Sequence, residues 1–276
     1  MSIETKIFQP CSPNETRVFL ILFCLTLAAQ LIINFQDQLD YLRTDPERVY
    51  GRSSGLFGWY RGPSLSPRQF YLVAVALIVS LFGIAASLAP RFFLLIALIC
   101  QFLYFNQIAS LAYIQRKVNL VSIVLLIMLF SPGIDQPFDQ LVPSWPMVLV
   151  KIALAQMYCS AGLQKLRRGG WQWCDGESLQ TYLVEHYLWG DMKNALRLGR
   201  SLRLCRILSI LVLIFELTFV LIIPFQNLAC LYAIGGVIFH ASTSAVMRID
   251  YLKYLSPVYM VFIAEPVLRL LTFLKT

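Results

Sequence analysis

Four ionisable side chains sit inside strongly apolar sequence: Lys151, Lys165, Glu216 and His240. Within a membrane helix such a group costs about 2.5–3.5 kcal/mol on translocon scales, so it faces a bundle interior, a polar cavity or a partner. Lys165 closes the run Met157-Tyr158-Cys159-Ser160-Ala161-Gly162-Leu163-Gln164-Lys165. Tyr158, Gly162 and Lys165 share one helical face at i, i+4 and i+7, with Gln164 adjoining. Two readings fit this lysine. As a helix-end residue it snorkels its ammonium to the interface; as a partly desolvated amine it is available as a general base. His240 lies deep in Gly235-Gly236-Val237-Ile238-Phe239-His240-Ala241-Ser242-Thr243-Ser244, with Gly236 and Ser244 on its face. It is either a neutral histidine bonded to a serine or a carbonyl of a neighbouring helix, or a proton-handling or ligand-orienting group. Glu216, mid-run in Ile214-Phe215-Glu216-Leu217, needs a proton or a partner, for which Lys151 or a hydroxyl could serve. Lys151 starts its own run and reads as an interfacial lysine.

Other chemistries lack their residues. There is no HExxH, no paired-carboxylate motif and no nucleophile elbow. Two histidines in the whole chain exclude a histidine-rich metal site, and Asp175 and Glu177 beside His186 read as solvated loop residues. No metal is expected.

The elements that carry these groups are membrane helices. Of 276 residues, 58% are hydrophobic and 14% charged, against about 45–50% and about 25% in a soluble domain; the mean hydropathy is +0.67. The apolar residues come in blocks, which excludes a soluble enzyme, a disordered tail and a disulfide-stapled secreted domain. The net charge of +8 fits basic loops facing anionic lipid headgroups. No zinc-finger spacing, RNP-like run or phosphate-cradling loop points to nucleic acid. The seven cysteines are scattered without CxxC, and Cys24, Cys100 and Cys230 lie in apolar runs, where a thiol packs as a small apolar side chain.

A spanning helix needs about 20 mainly apolar residues. Val18–Phe35, Tyr71–Ala89, Phe92–Tyr113, Pro146–Gln164, Ile207–Pro224 and Leu228–Ala245 qualify. Leu120–Phe130 is short, and Tyr254–Leu274 is interrupted by Pro257, Glu265, Pro266 and Arg269. The expectation is therefore an all-α polytopic bundle of about eight membrane helices, forming one transmembrane domain over residues 1–276 without a large soluble domain. Residues 36–70 and 166–206 are the expected extramembrane loops. The first run has no A-x-A-like cleavage site and reads as an anchor. In the second loop Lys193, Arg197, Arg200 and Arg203 recur every three or four residues, which fits either a surface-lying amphipathic helix or a solvated connector. Most Lys and Arg fall in the loops after odd-numbered runs, while Lys6, Arg17, Arg91 and Lys275 fall on the other side. The positive-inside rule then places both termini outside. Lys165 and His240, the latter about 7–8 Å deeper at 1.5 Å per residue, are expected to line one pocket.

Three blocks carry a family resemblance. The stretch Ala161-Gly162-Leu163-Gln164-Lys165-Leu166, then Trp171 or Trp173, then Gly176-Glu177-Ser178-Leu179, resembles a signature of the vitamin K-dependent gamma-carboxylase membrane domain, which bacterial relatives carry as the horizontally transferred transmembrane (HTTM) domain. Phe239-His240 with Ser244, Met247 and Ile249 resembles a second block, and Glu216 ahead of Pro224 falls where the family places an acidic residue. The resemblance implies that Lys165 is a catalytic base, with His240 its companion, and that a quinone-type lipid is the cofactor. Among family members the chain is similar to the sporulation-delaying protein B type of the bacterial cell membrane. That likeness implies maturation of a secreted toxin-like peptide beside a small partner protein, with membrane lipids as surroundings. Tyr158, Gln164, Glu216 and Ser244 are the expected supporting residues. The competing function is a non-catalytic membrane subunit that anchors or assembles a partner. A transporter has less support, because no repeat halves are visible.

Overall fold

The computed structural model describes residues 10–11, 13–44, 65–109, 115–132, 134–135, 142–190, 192–249 and 251–274. Among them the chain is almost entirely helical: α1 (Pro13–Thr44), α2 (Pro67–Ala85), α3 (Pro90–Ala109), α4 (Gln115–Leu129), α5 (Trp145–Gly169), α6 (Glu177–Gly190), α7 (Lys193–Gly199), α8 (Leu202–Thr218), α9 (Ala229–Met247), α10 (Leu252–Tyr259) and α11 (Ala264–Phe273). The extended structure is one antiparallel bridge pairing Pro10–Cys11 with Val142–Pro143. Most of the second expected extramembrane loop, read from sequence over 166–206, is helical. Residues 45–64 of the first lie outside the described residues, as do Lys6 and Lys275.

Among the described residues, five helices are long and apolar enough to cross a membrane: Asn14–Asp40, Pro67–Ala85, Trp145–Asp175, Leu202–Ile222 and Gln226–Met247. A sixth follows if Leu252–Phe262 and Ala264–Phe273, bent by 51° at their junction, form one span. Pro90–Phe105 and Leu120–Leu129 are apolar but shorter. The structure thus supports a count of five or six by length, short of the expected eight. Pro266, in the first turn of α11, has no N–H to offer the residue four before it, so a regular helical ladder cannot run across the junction, whereas Pro257 lies earlier, inside α10.

The contacts cluster into two compact units, residues 1–150 with 254–276, and residues 151–253. In the first unit, Ser66 caps α2 in a reciprocal box: its Oγ accepts the Gln69 N–H at 3.3 Å, while Gln69 Oε1 accepts the Ser66 N–H at 2.9 Å. Pro67 then opens the helix with a preset φ. The turn to α3 passes through Ser87 and Ala89 at positive φ. Gly83 lies so close to Phe93 that an added Cβ would stand 2.8 Å from the ring.

In the second unit α6, α7 and the start of α8 pack around Leu183, Ala195 and Cys205. The basic segment is not one surface helix. α7 stops at Gly199, and Ser201 caps a new helix, its Oγ accepting the Leu204 N–H at 3.3 Å. Arg203 therefore belongs to α8, apart from Lys193 and Arg197. Outward faces of α8 and α9 display Ile207, Leu211, Ile214, Leu231, Ile234 and Ile238, the lipid-facing surface of a membrane bundle.

Candidate functional site

The site is built where α5 meets α8. Gly162 makes that meeting close: a Cβ there would stand 3.0 Å from Leu217 and 3.1 Å from Glu216, the small-residue contact that lets membrane helices approach. One turn on, the Lys165 Nζ donates to both carboxylate oxygens of Glu216, each at 2.5 Å. The pair is lopsided in exposure, with the Lys165 side chain 22% and the Glu216 side chain 4% exposed. Glu216 shares the buried face of α8 with Cys205, Ser209 and Leu213. The expected partnership of Glu216 with Lys151 is corrected here. Lys151 lies fourteen positions before Lys165 on the same helix, about 21 Å away at 1.5 Å per residue.

Two turns before Lys165 on α5 sits a second pair. The Tyr158 hydroxyl and His240 Nε2 are 2.6 Å apart, with the direction of the bond set by the imidazole tautomer. Tyr158 and His240 are both buried. Tyr158 stacks on Phe219 with ring centroids 4.1 Å apart and takes Phe215 edge-on at 5.4 Å. Phe239 and Tyr251 flank the imidazole at 5.0 and 5.7 Å. Edge-to-face and offset ring contacts of this kind fix orientation as well as area. Gly235 leaves room for Phe215, whose ring a Cβ would meet at 3.1 Å.

A short 3₁₀ strap, Gly170–Asp175, follows α5 and brings Trp173 to Lys165, the Nζ lying 5.7 Å from the ring centroid. Gly176 ends the strap at φ 91, where a Cβ would sit 2.4 Å from the Arg206 nitrogen, so only glycine fits. Arg206 Nε donates to the Asp175 carbonyl at 3.1 Å, and Asp175 Oδ1 accepts the Glu177 N–H at 2.8 Å. Of the two motif tryptophans, Trp173 is the inward one; Trp171 is exposed. The Trp173 indole nitrogen is buried and makes no hydrogen bond.

The expected residues thus divide. Lys165 joins Glu216, and Tyr158 joins His240, giving the amine and the imidazole separate partners along one face of α5. Gln164 is exposed. Ser244 lies one turn beyond His240, where its carbonyl accepts the Arg248 N–H at 2.9 Å in the cap of α9. Trp173, Phe215, Phe219 and Tyr251 complete the site without having been singled out as site groups, although the spacing Trp173-x-x-Gly176-x-Ser178 pointed to the first. No group of three His, Cys, Asp or Glu side chains able to hold a metal occurs among the described residues.

The HTTM domain profile matches residues 8–266. The chain belongs to the HTTM family. This is the domain of vitamin K-dependent carboxylase-like and sporulation-delaying protein B-like proteins. No curated protein and no solved structure matches the chain significantly. Both polar pairs and the strap fall within the matched HTTM region.

Proposed function

We propose that this HTTM protein is a membrane-embedded enzyme or maturation factor of a bacterial cell membrane. It acts on a toxin-like peptide with a lipid-soluble, quinone-type cofactor, using Lys165 as base and His240 as companion. The observation that carries this reading is the Lys165–Glu216 pair, held inside an apolar helix and walled by Trp173. Glu216 accepts both hydrogen bonds from the amine and fixes it at the end of the apolar helix, with Trp173 covering one side; a general base has to be held in place in this way to meet its substrate. Tyr158 holds the His240 ring in one orientation, and that fixes which nitrogen can take or give a proton.

The donor set suits the implied cofactor. Trp173 offers a buried indole N–H with no acceptor beside the amine, and the surrounding rings are apolar. When bound in its reduced, hydroquinone form, the cofactor would supply a ring hydroxyl and reducing electrons. The residues holding it would be Trp173 and Lys165.

A second reading has its own support. Each polar group already has a partner in another helix, so the pairs also serve to tie α5 to α8 and α9 in a non-catalytic subunit that anchors or assembles a partner protein. Lys165→Met separates the two, scored as mature peptide per mole of assembled protein. The enzyme reading expects a loss of more than 100-fold, on the general scale of a general-base contribution. Unchanged yield per assembled molecule supports the subunit.

A further inference from the structure

The lipid-facing surface of the second unit ends in arginines. On α8 the exposed stripe Ile207, Leu211 and Ile214 continues one turn towards the N-terminus into Arg203. On α9 the exposed positions Leu231, Ile234, Ile238, Ala241 and Ala245 lead to Arg248, at steps of three and four residues that keep them on one side. Both stripes border one seam. Phe215 of α8 meets α9 at Gly235, where an added Cβ would stand 3.1 Å from the ring, and at Phe239, with ring centroids 6.0 Å apart. Leu211 stands one turn before Phe215, and Leu231 and Ile238 stand one turn to either side of Gly235. Glu216 and His240 leave the same two helices on the other side, towards their partners on α5.

The two arginines also share a level. Phe219 meets Tyr232 at 5.3 Å, so α8 and α9 run antiparallel. From the Phe215–Gly235 contact, Arg203 is twelve residues back along α8 and Arg248 thirteen forward along α9, each about 18–20 Å away at 1.5 Å per residue. Both side chains are exposed, and neither forms an ion pair among the described residues. Beside them, Ala195 and Leu198 of α7 share a core with Cys205, Val246 and Met247, which brings the exposed Arg197 and Arg200 to the same end.

Arg248 carries a second sign. It closes α9 at φ 52, its N–H donating to the Ser244 carbonyl at 2.9 Å while the Ile249 N–H reaches the Thr243 carbonyl at 3.4 Å. Glycine is the usual residue in this left-handed helix end. An arginine there stores backbone strain, and such strain gathers where a side chain is used. We propose that this end of α8 and α9 binds anionic phospholipid, with Arg203 and Arg248 donating to phosphate oxygens and the acyl chains lying along the two stripes. A guanidinium presents a planar fork that matches phosphate, and its stem covers apolar surface. The short side chains of Ala241 and Ala245 leave room for a chain beneath Arg248. This site stands apart from any chemistry at Lys165.

The test titrates the full chain in neutral detergent with phosphatidylglycerol or with phosphatidylcholine of the same chains, and reads bound lipid by native mass spectrometry. Phosphatidylglycerol is expected to bind about tenfold more tightly. Arg203→Gln and Arg248→Gly should each weaken it about fivefold, with phosphatidylcholine unchanged. Glycine relaxes the backbone at φ 52, so Arg248→Gly should hold or raise Tm in the detergent, which separates lost lipid from lost fold. Should that variant fail to assemble, Arg203→Gln gives the same reading. Arg168→Gln, at the end of α5, should change the affinity less than twofold. Equal binding of the two lipids, or unaltered phosphatidylglycerol affinity in both seam variants, overturns the proposal. So does an equal loss in Arg168→Gln, which would mean diffuse attraction, or a second copy of the chain retained in place of lipid.

Discussion

Lys165→Met removes one half of a buried ion pair and leaves Glu216, with 4% of its side chain exposed, without that cation. Breaking a buried pair from one side is expected to cost about 3–5 kcal/mol, because the remaining charge lies where little water reaches it. Glu216→Gln behaves differently. The remaining Lys165 is 22% exposed and can extend its ammonium outward, leaving a loss of about 1.5–3 kcal/mol from the charge-assisted hydrogen bonds. The lysine variant is therefore the worse of the two. The double variant carries neither charge and should be more stable than Lys165→Met alone. Unfolding by SDS titration in mixed micelles reads all three. A Glu216→Gln penalty as large as that of Lys165→Met, or a double variant no better than Lys165→Met, would refute this account of the pair.

Three further changes probe the surroundings. Tyr158→Phe keeps the stack on Phe219 but leaves His240 Nε2 without its 2.6 Å partner; a loss of about 1–3 kcal/mol is expected in the same titration. Gly176→Ala forces a Cβ into the Arg206 backbone at φ 91, and should cost about 3 kcal/mol or more, seen as a sharp fall in assembled protein. Ser201→Ala removes the cap of α8 and should lower stability by about 1 kcal/mol, with the Lys165–Glu216 pair unaffected.

The sequence made the helices readable because apolar runs mark them: as far as the described residues extend, each long apolar run lies largely on a helix, and Pro257 and Pro266 marked the bent one. The ends were harder. Arg and Leu keep their helical spacing straight through Arg200–Ser201, and nothing in that periodicity shows that Ser201 starts a new helix; the serine cap is the only local sign. Within the site, the separate peculiarity of Lys165, Glu216 and His240 was legible, since each is out of place in hydrocarbon. Their pairing was not. Which helix faces which depends on packing, and Gly162 hinted only that some helix comes close to α5. Once α8 is that helix, Glu216 falls beside Lys165 and Phe219 against Tyr158, leaving His240 to the tyrosine. Trp173 was legible as a motif residue, but its approach to the amine depends on the strap, whose end is set by Gly176 lying against Arg206.

The proposed proton-accepting role of Lys165 is tested most directly by Lys165→Arg. Arginine keeps a cation for Glu216 and so keeps the pair, but a guanidinium does not give up its proton at neutral pH. The measurement is the mass spectrum of the proposed peptide substrate from cells expressing the variant, normalised to assembled protein in the membrane. The account predicts normal assembly with no mature peptide; mature peptide at the wild-type level from the arginine variant would contradict it.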